Sequence, residues 1–167
     1  MDPIELLMAD HREVETLFDQ FEAVVEASPE RAMAIADQIF SALTVHAEVE
    51  EKLVYPALKD ALDEPLDVLA AIEEHHVAKL LVKELKAMTL DDERFEAKLL
   101  VLEEMVRNHV EEEERELLPL AKALLPREVY TELGLQIADT QDRLRRQALN
   151  LNVSMVREYP VEQPKQV

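Results

Sequence analysis

Cysteine is absent from this 167-residue chain, which excludes disulfides, thiolate metal sites and thiol catalysis. Tryptophan is absent too, and with four Phe and three Tyr the 48% hydrophobic content is almost wholly aliphatic. The single glycine, Gly134, leaves few left-handed positions for the tight turns of a β-rich fold. No apolar run approaches the ~20 residues that a membrane-spanning helix needs. The first ten residues, MDPIELLMAD, lack the basic flank and apolar stretch of a signal peptide. Positive charge is scarce: 18 Lys and Arg face 37 Asp and Glu, a net charge of −19. Such a surface repels phosphates and anionic lipid, so neither nucleic acid nor membrane is expected as a partner. A soluble cytoplasmic protein is the expectation, as a monomer or homodimer.

What is abundant is Ala, Leu, Glu and Lys, residues that lose little side-chain freedom in a helix. Prolines and polar clusters divide the chain. Asp2-Pro3 starts a first helix to about Glu26, and Ser28-Pro29 caps a second that runs to about Leu62 with a kink at Pro56. A turn at Asp63-Glu64-Pro65 leads to a third helix ending near Met88. Thr89 to Asp92 precede a fourth, which reaches Leu124 with a kink at Pro119. Pro126 opens a further helical segment, interrupted near Gly134 and fading after Leu149. The organisation expected is an all-α, up-down-up-down four-helix bundle over 1–125, a C-terminal helical extension over 126–150 packed on it, and a tail over 151–167. The predicted core stripes are Leu7, Val14, Phe18, Phe21 and Val25 in helix 1, Ile35, Ile39, Leu43 and Leu53 in helix 2, and Leu99, Leu102, Val106, Leu117 and Leu120 in helix 4.

The chain also repeats itself. HAEVEEKLVYP begins at His46 and HVEEEERELLP at His109, each with a Glu four residues after the His and a Pro ten after it. A further His in an acidic context precedes each: Asp10-His11 and Glu74-His75. The offsets are 63 residues (46 to 109) and 64 residues (11 to 75), as two helical hairpins related by a pseudo-two-fold axis would give.

The histidines and two of the acids stand where leucines belong. His11 falls in the stripe Leu7–His11–Val14–Phe18, His46 and Glu50 between Leu43 and Leu53, and His109 and Glu113 between Val106 and Leu117. A carboxylate buried without a partner would protonate or be avoided. Two of them, each one turn from an inward imidazole, call for a cation between them. Residues four apart lie on one helix face, about 5–6 Å apart at Cβ, so each His-x-x-x-Glu pair can offer one nitrogen and one carboxylate oxygen to the same cluster. Adding single histidines from helices 1 and 3 supplies four nitrogens and two carboxylates, a donor set that suits Fe, Zn or Mn. Helix 3 carries His75 and His76 side by side. Adjacent residues diverge by about 100°, so one faces the site. His75, followed by Ala78, Leu81, Val82 and Leu85, is favoured, with His76 as a supporting or alternate ligand.

This pattern resembles the hemerythrin-like, or HHE cation-binding, family. The resemblance rests on His11, His46-Glu50-Pro56, Glu74-His75 and His109-Glu113-Pro119, and covers about residues 4 to 125. It implies a non-heme centre of two iron ions with an oxo or hydroxo bridge, held by His11, His46, Glu50, His75 (or His76), His109 and Glu113. It also implies a small diatomic or peroxide ligand, and a role in sensing, binding or detoxifying oxygen, nitric oxide, peroxide or iron. The sequence departs from oxygen-carrying hemerythrins, which use five histidines and end in His-x-x-x-x-Asp. Here the final motif is His-x-x-x-Glu, leaving a position for water or for Glu51 or Glu114. No hydrolase or transferase motif is present. Two other functions compete: a metal-free acidic bundle working through its surface, and ferritin-like iron oxidation or storage. The second needs two Glu-x-x-His motifs, and only Glu73 to His76 has that spacing.

Overall fold

The computed structural model describes residues 1–156, with side chains to Leu151, and every regular element among them is helical. Helix α1 spans Pro3–Val24, α2 Pro29–Val49, α3 Tyr55–Ala61, α4 Leu66–Lys86, α5 Phe95–Glu112, α6 Leu118–Leu124 and α7 Arg127–Val156. Two π-helical turns, Glu50–Val54 and Glu113–Leu117, join α2 to α3 and α5 to α6. Four continuous rods result (α1; α2 with α3; α4; α5 with α6), and α7 packs across α1 and α2. The Asp2 carboxylate caps α1 by accepting from the Ile4 amide at 2.9 Å, with Pro3 behind it in the first turn. Arg94 donates its amide to Asp92 just before α5.

The sequence places a kink at each internal proline, and the structure puts a π-turn in front of each. Tyr55 N–H reaches back to the Glu50 carbonyl and Leu118 N–H to that of Glu113, five residues instead of four. Pro56 and Pro119 have no N–H to give, and in a regular α-helix their rings would strike the carbonyl four residues back. The wider turn relieves that conflict. It also inserts one residue into the helical register. The buried positions from the last residue of the first π-turn onward are therefore Val54, Tyr55 and Leu58, while Leu53, expected in the core, is only half-buried. After the second, Leu118 and Ala121 are buried and Leu120 is half-buried.

Two other expectations change. Gly134 does not interrupt the last helix: α7 runs through it, and the glycine admits the N-terminus instead. A Cβ there would lie 2.2 Å from the Met1 carbonyl oxygen. Nor does the helix fade after Leu149, since the backbone stays helical to Val156; the rest of the predicted tail, 157–167, lies outside the described residues.

The apolar core is divided. One cluster, with Phe18, Ile39, Phe40, Phe95 and Leu102, occupies the end of the bundle near the α4–α5 connection. A second, with Leu7, Val49, Tyr55, Leu58, Leu118 and Ile137, fills the other end and runs under α7. Burying such side chains contributes roughly 1.5–3 kcal/mol each. Between the two clusters lies a layer of buried polar groups.

Candidate metal centre

That layer contains Asp10, His11, His46, Glu50, His75, His109 and Glu113, every one at most 8% exposed. Of the seven predicted site residues the structure brings six together. His76 is exposed and lies outside the cluster, because the α4 stripe that turns inward is His75, Val82 and Leu85. The six fall into two groups: His11, His46, Glu50 and Glu113, and then Glu50, His75 and His109. Within each, one potential donor atom per residue lies within 4.8 Å of all the others. Glu50 belongs to both and so lies between the two groups. Glu113 Oε2 is 3.3 Å from His11 Nε2 and 3.8 Å from His109 Nε2, reaching toward both groups.

Each imidazole presents Nε2 to the centre. His11 Nε2 and His46 Nε2 are 3.2 Å apart, and His75 Nε2 and His109 Nε2 are 3.1 Å apart. The outward Nδ1 atoms meet carboxylates: Glu114 for His11 at 2.8 Å, Glu51 for His75 at 3.1 Å and Glu74 for His109 at 2.6 Å. A carboxylate only accepts, so in these rings Nδ1 carries a proton and Nε2 is the nitrogen turned to the centre, where it can serve as a ligand. Glu51 and Glu114 thus stand behind the imidazoles and not in the vacant ligand position offered to them by sequence. Lys79 holds Glu51 at 2.6 and 2.7 Å. Arg12 holds Glu114 at 2.5 and 2.7 Å, and Glu114 is half-buried.

His46 is the exception. Its Nδ1 lies 3.6 Å from Asp10 Oδ2, beyond hydrogen-bond length, and is a buried atom without a hydrogen-bond partner. Asp10 is drawn the other way, accepting from Gln141 Nε2 at 2.6 Å and from Arg145 at 2.7 Å. Helix α7 therefore fixes the acid behind His46.

Sequence reasoning named these outer acids without finding their role behind the imidazoles, and it missed Tyr55. The acids repeat with the histidines (Asp10-His11 and Glu74-His75, Glu50-Glu51 and Glu113-Glu114), so the signal was there. Tyr55 breaks the repeat, since the residue 63 positions on is Leu118. Its hydroxyl lies 3.1 Å from Glu50 Oε2, 3.0 Å from Glu113 Oε1 and 3.3 Å from His75 Nε2. Burial, and then the charges of Glu50 and Glu113, push its pKa far above that of an ordinary phenol, so the proton stays on the oxygen.

The donor set fits a cation. Glu50 Oε1 and Glu113 Oε2 are buried without a hydrogen-bond donor, and the Nε2 atoms of four imidazoles converge beside them. Without a metal, protons must substitute. Burial alone would strip His46 of its charge, but the charges of Glu50 and Glu113 and the nearby Asp10 outweigh it and hold its pKa well above 6.5. Burial likewise would raise Glu50, yet the positive charge on His46 and hydrogen bonds to His46 and His75 keep it well below 4.5. The pair sits 3.1 Å apart. A proton held on His46 beside an ionised Glu50 is one that a metal ion would have to displace.

The family profile described as hemerythrin HHE cation-binding domain matches residues 2–121. The chain belongs to that family. Among solved structures, the fold of this hemerythrin-like chain matches that of an HHE cation-binding domain-containing protein from Mycobacterium kansasii. The TM-score is 0.75 and the identity 24%, over 90% of this chain and 91% of that one. Among curated proteins it is 28% identical over 110 residues to a DNA nickase from a Nostoc species. That alignment takes in 66% of this chain but only 30% of the relative, so the chain spans less than a third of that protein's length. No helix among the described residues is long and apolar enough to cross a membrane.

Proposed function

We propose that this hemerythrin-like chain binds two iron ions in the polar layer and uses them to sense, bind or detoxify a small ligand such as oxygen, nitric oxide or peroxide. The observation that carries the reading is the convergence of four imidazole Nε2 atoms and two partnerless carboxylate oxygens from four rods at one level. His11 and His46 would hold one ion, His75 and His109 the other, with Glu50 and Glu113 between them. Imidazole with carboxylate suits iron, with zinc or manganese as substitutes. Such a pair supplies redox-active Lewis-acidic positions open to a small ligand.

The rest is the work of this chain's residues. Glu51, Glu74 and Glu114 fix ring orientation and tautomer, so that the inward Nε2 atoms need no reorientation when an ion arrives. Tyr55 keeps its proton and offers it in hydrogen bonds to Glu113 at 3.0 Å and Glu50 at 3.1 Å, which orients the two carboxylates. The lower apolar cluster excludes water on that side. A net charge of −19 weighs against carrying the DNA activity in the Nostoc relative's name over to this chain.

Iron content decides the matter. Protein purified aerobically or reloaded under nitrogen should carry two iron ions per chain and show near-ultraviolet charge-transfer absorption that shifts when azide is added. Recovery well below one iron per chain after reloading would refute the proposal.

A further inference from the structure

A cavity of about 350 Å³ opens directly above the four histidines, between α1, α2, α4 and α5. It touches His11, His46, His75 and His109 at its floor. Its walls are apolar: Leu43 from α2, Ala78 and Val82 from α4, Val106 and Val110 from α5. From Glu74 to Lys86 it follows thirteen residues of α4, about 18 Å of helix. A diatomic molecule or peroxide needs a small fraction of that space, given that benzene is accommodated in an apolar cavity of about 150 Å³. The volume lies instead within the ~300–1,000 Å³ range of sites for organic molecules.

The mouth differs in charge from the rest of the protein. In a chain with twice as many acids as bases, three lysines of α4, Lys79, Lys83 and Lys86, line the opening. Lys79 is engaged by Glu51. Lys83 is exposed and forms no ion pair among the described residues. In the metal-free chain the opposite end is anionic, since Glu50 and Glu113 lie just beneath the imidazoles and Glu74 lines the cavity beside them. A guest with one negative group would be repelled from the floor and held at the rim, while an apolar body filled the space between.

We infer that this cavity binds an amphiphilic monoanion, a medium-chain aliphatic carboxylate or a molecule of that shape, with its head at Lys83 and its tail running down to the histidines. The inference deepens the proposed function, because such a guest would bring the far end of its chain beside the iron pair. It needs no metal to be tested, so its failure would leave the iron measurement untouched.

Calorimetry on the full metal-free chain with a series from butanoate to tetradecanoate supplies the test. Binding should be one to one and should tighten about fourfold per methylene, the factor that ~0.8 kcal/mol per buried CH₂ gives. The gain should level off once the cavity is full. Decyltrimethylammonium should bind at least tenfold more weakly than decanoate. Lys83→Glu should weaken decanoate about fivefold or more at an unchanged melting temperature, and Ala78→Phe should abolish binding. If Ala78→Phe does not fold, Val82→Met, which fills part of the same space more gently, should shorten the chain length at which affinity levels off. Equal affinity for the cation, more than one site per chain, indifference to Lys83→Glu or no binding at any length would each overturn the proposal. So would decanoate binding that requires iron and is displaced by azide, since that places the carboxylate on the metal.

Discussion

The adjacent histidines of α4 provide a matched pair of perturbations, one inside the proposed centre and one outside it. His75→Ala removes Nε2 from the group formed with Glu50 and His109, leaving two donors where three lay within 4.8 Å. The group of His11, His46, Glu50 and Glu113 keeps all four. Bound iron should therefore fall from two ions per chain to one. At free iron a hundredfold above Kd, each bound ion stabilises the fold by about 2.7 kcal/mol. For a chain of this length that corresponds to roughly 5–11 °C in melting temperature. The same variant measured with a chelator isolates the cost of losing the ring itself. Glu51 keeps Lys79 as a partner, so that cost comes mainly from the void and from the neighbours Tyr55 and His109, about 1–3 kcal/mol. His76→Ala touches an exposed side chain and should change stability by no more than about 0.5 kcal/mol, with both ions retained. Iron analysis and thermal melts, each with and without chelator, read all four numbers. Two ions in His75→Ala, or one in His76→Ala, would refute the assignment of the helix α4 ligand.

The titration of the metal-free site gives a pH dependence with a definite sign. His46 is raised above 6.5, so its contribution to the metal-free fold is complete below that pH and is lost as pH rises through its folded value. Glu50 is lowered below 4.5, so its contribution is present above 4.5 and lost as pH falls through its folded value. The melting temperature of metal-free protein should thus fall on the alkaline side, that of iron-loaded protein should not, and iron affinity should increase with pH as His46 gives up its proton. A flat alkaline melting profile without metal would contradict this. Gln141→Leu removes the buried donor that holds Asp10 away from His46 and should cost about 1–3 kcal/mol. It should also bring the His46 Nδ1 resonance toward those of His75 and His109 in nitrogen-detected NMR. An unmoved resonance would show that α7 does not set that ring. Gly134→Ala gains helix propensity but drives a methyl toward the Met1 carbonyl oxygen, which a Cβ would approach to 2.2 Å. A net loss of about 1–3 kcal/mol is expected from such overpacking, relieved when Met1 is removed. A stabilised variant would show that the N-terminus yields freely.

By itself the sequence determined the helical class, the four rods and the inward face of each. Helical periodicity is a local property, and Leu7, Phe18, Ile39 and Leu102 had to turn inward together. It determined five of the side chains that meet in the polar layer and narrowed the sixth to His75 or His76, because imidazoles and carboxylates occupying leucine positions at a repeated spacing cannot all face water. Only the tertiary structure decided between His75 and His76, since a helix with apolar residues on several sides has two plausible inward faces until its neighbours are in place. Likewise it assigned Glu51 and Glu114 to the backs of the imidazoles, a matter of where two adjacent rods approach. The π-turns could not be read from Pro56 and Pro119 alone: a proline forbids one hydrogen bond but leaves open whether the helix bends or widens, and the widening is what moved the core from Leu53 to Val54. Tyr55 and the Asp10–Gln141 bond lie furthest from local inference. One depends on that shifted register and the other joins residues 131 positions apart, so both exist only once the rods have packed.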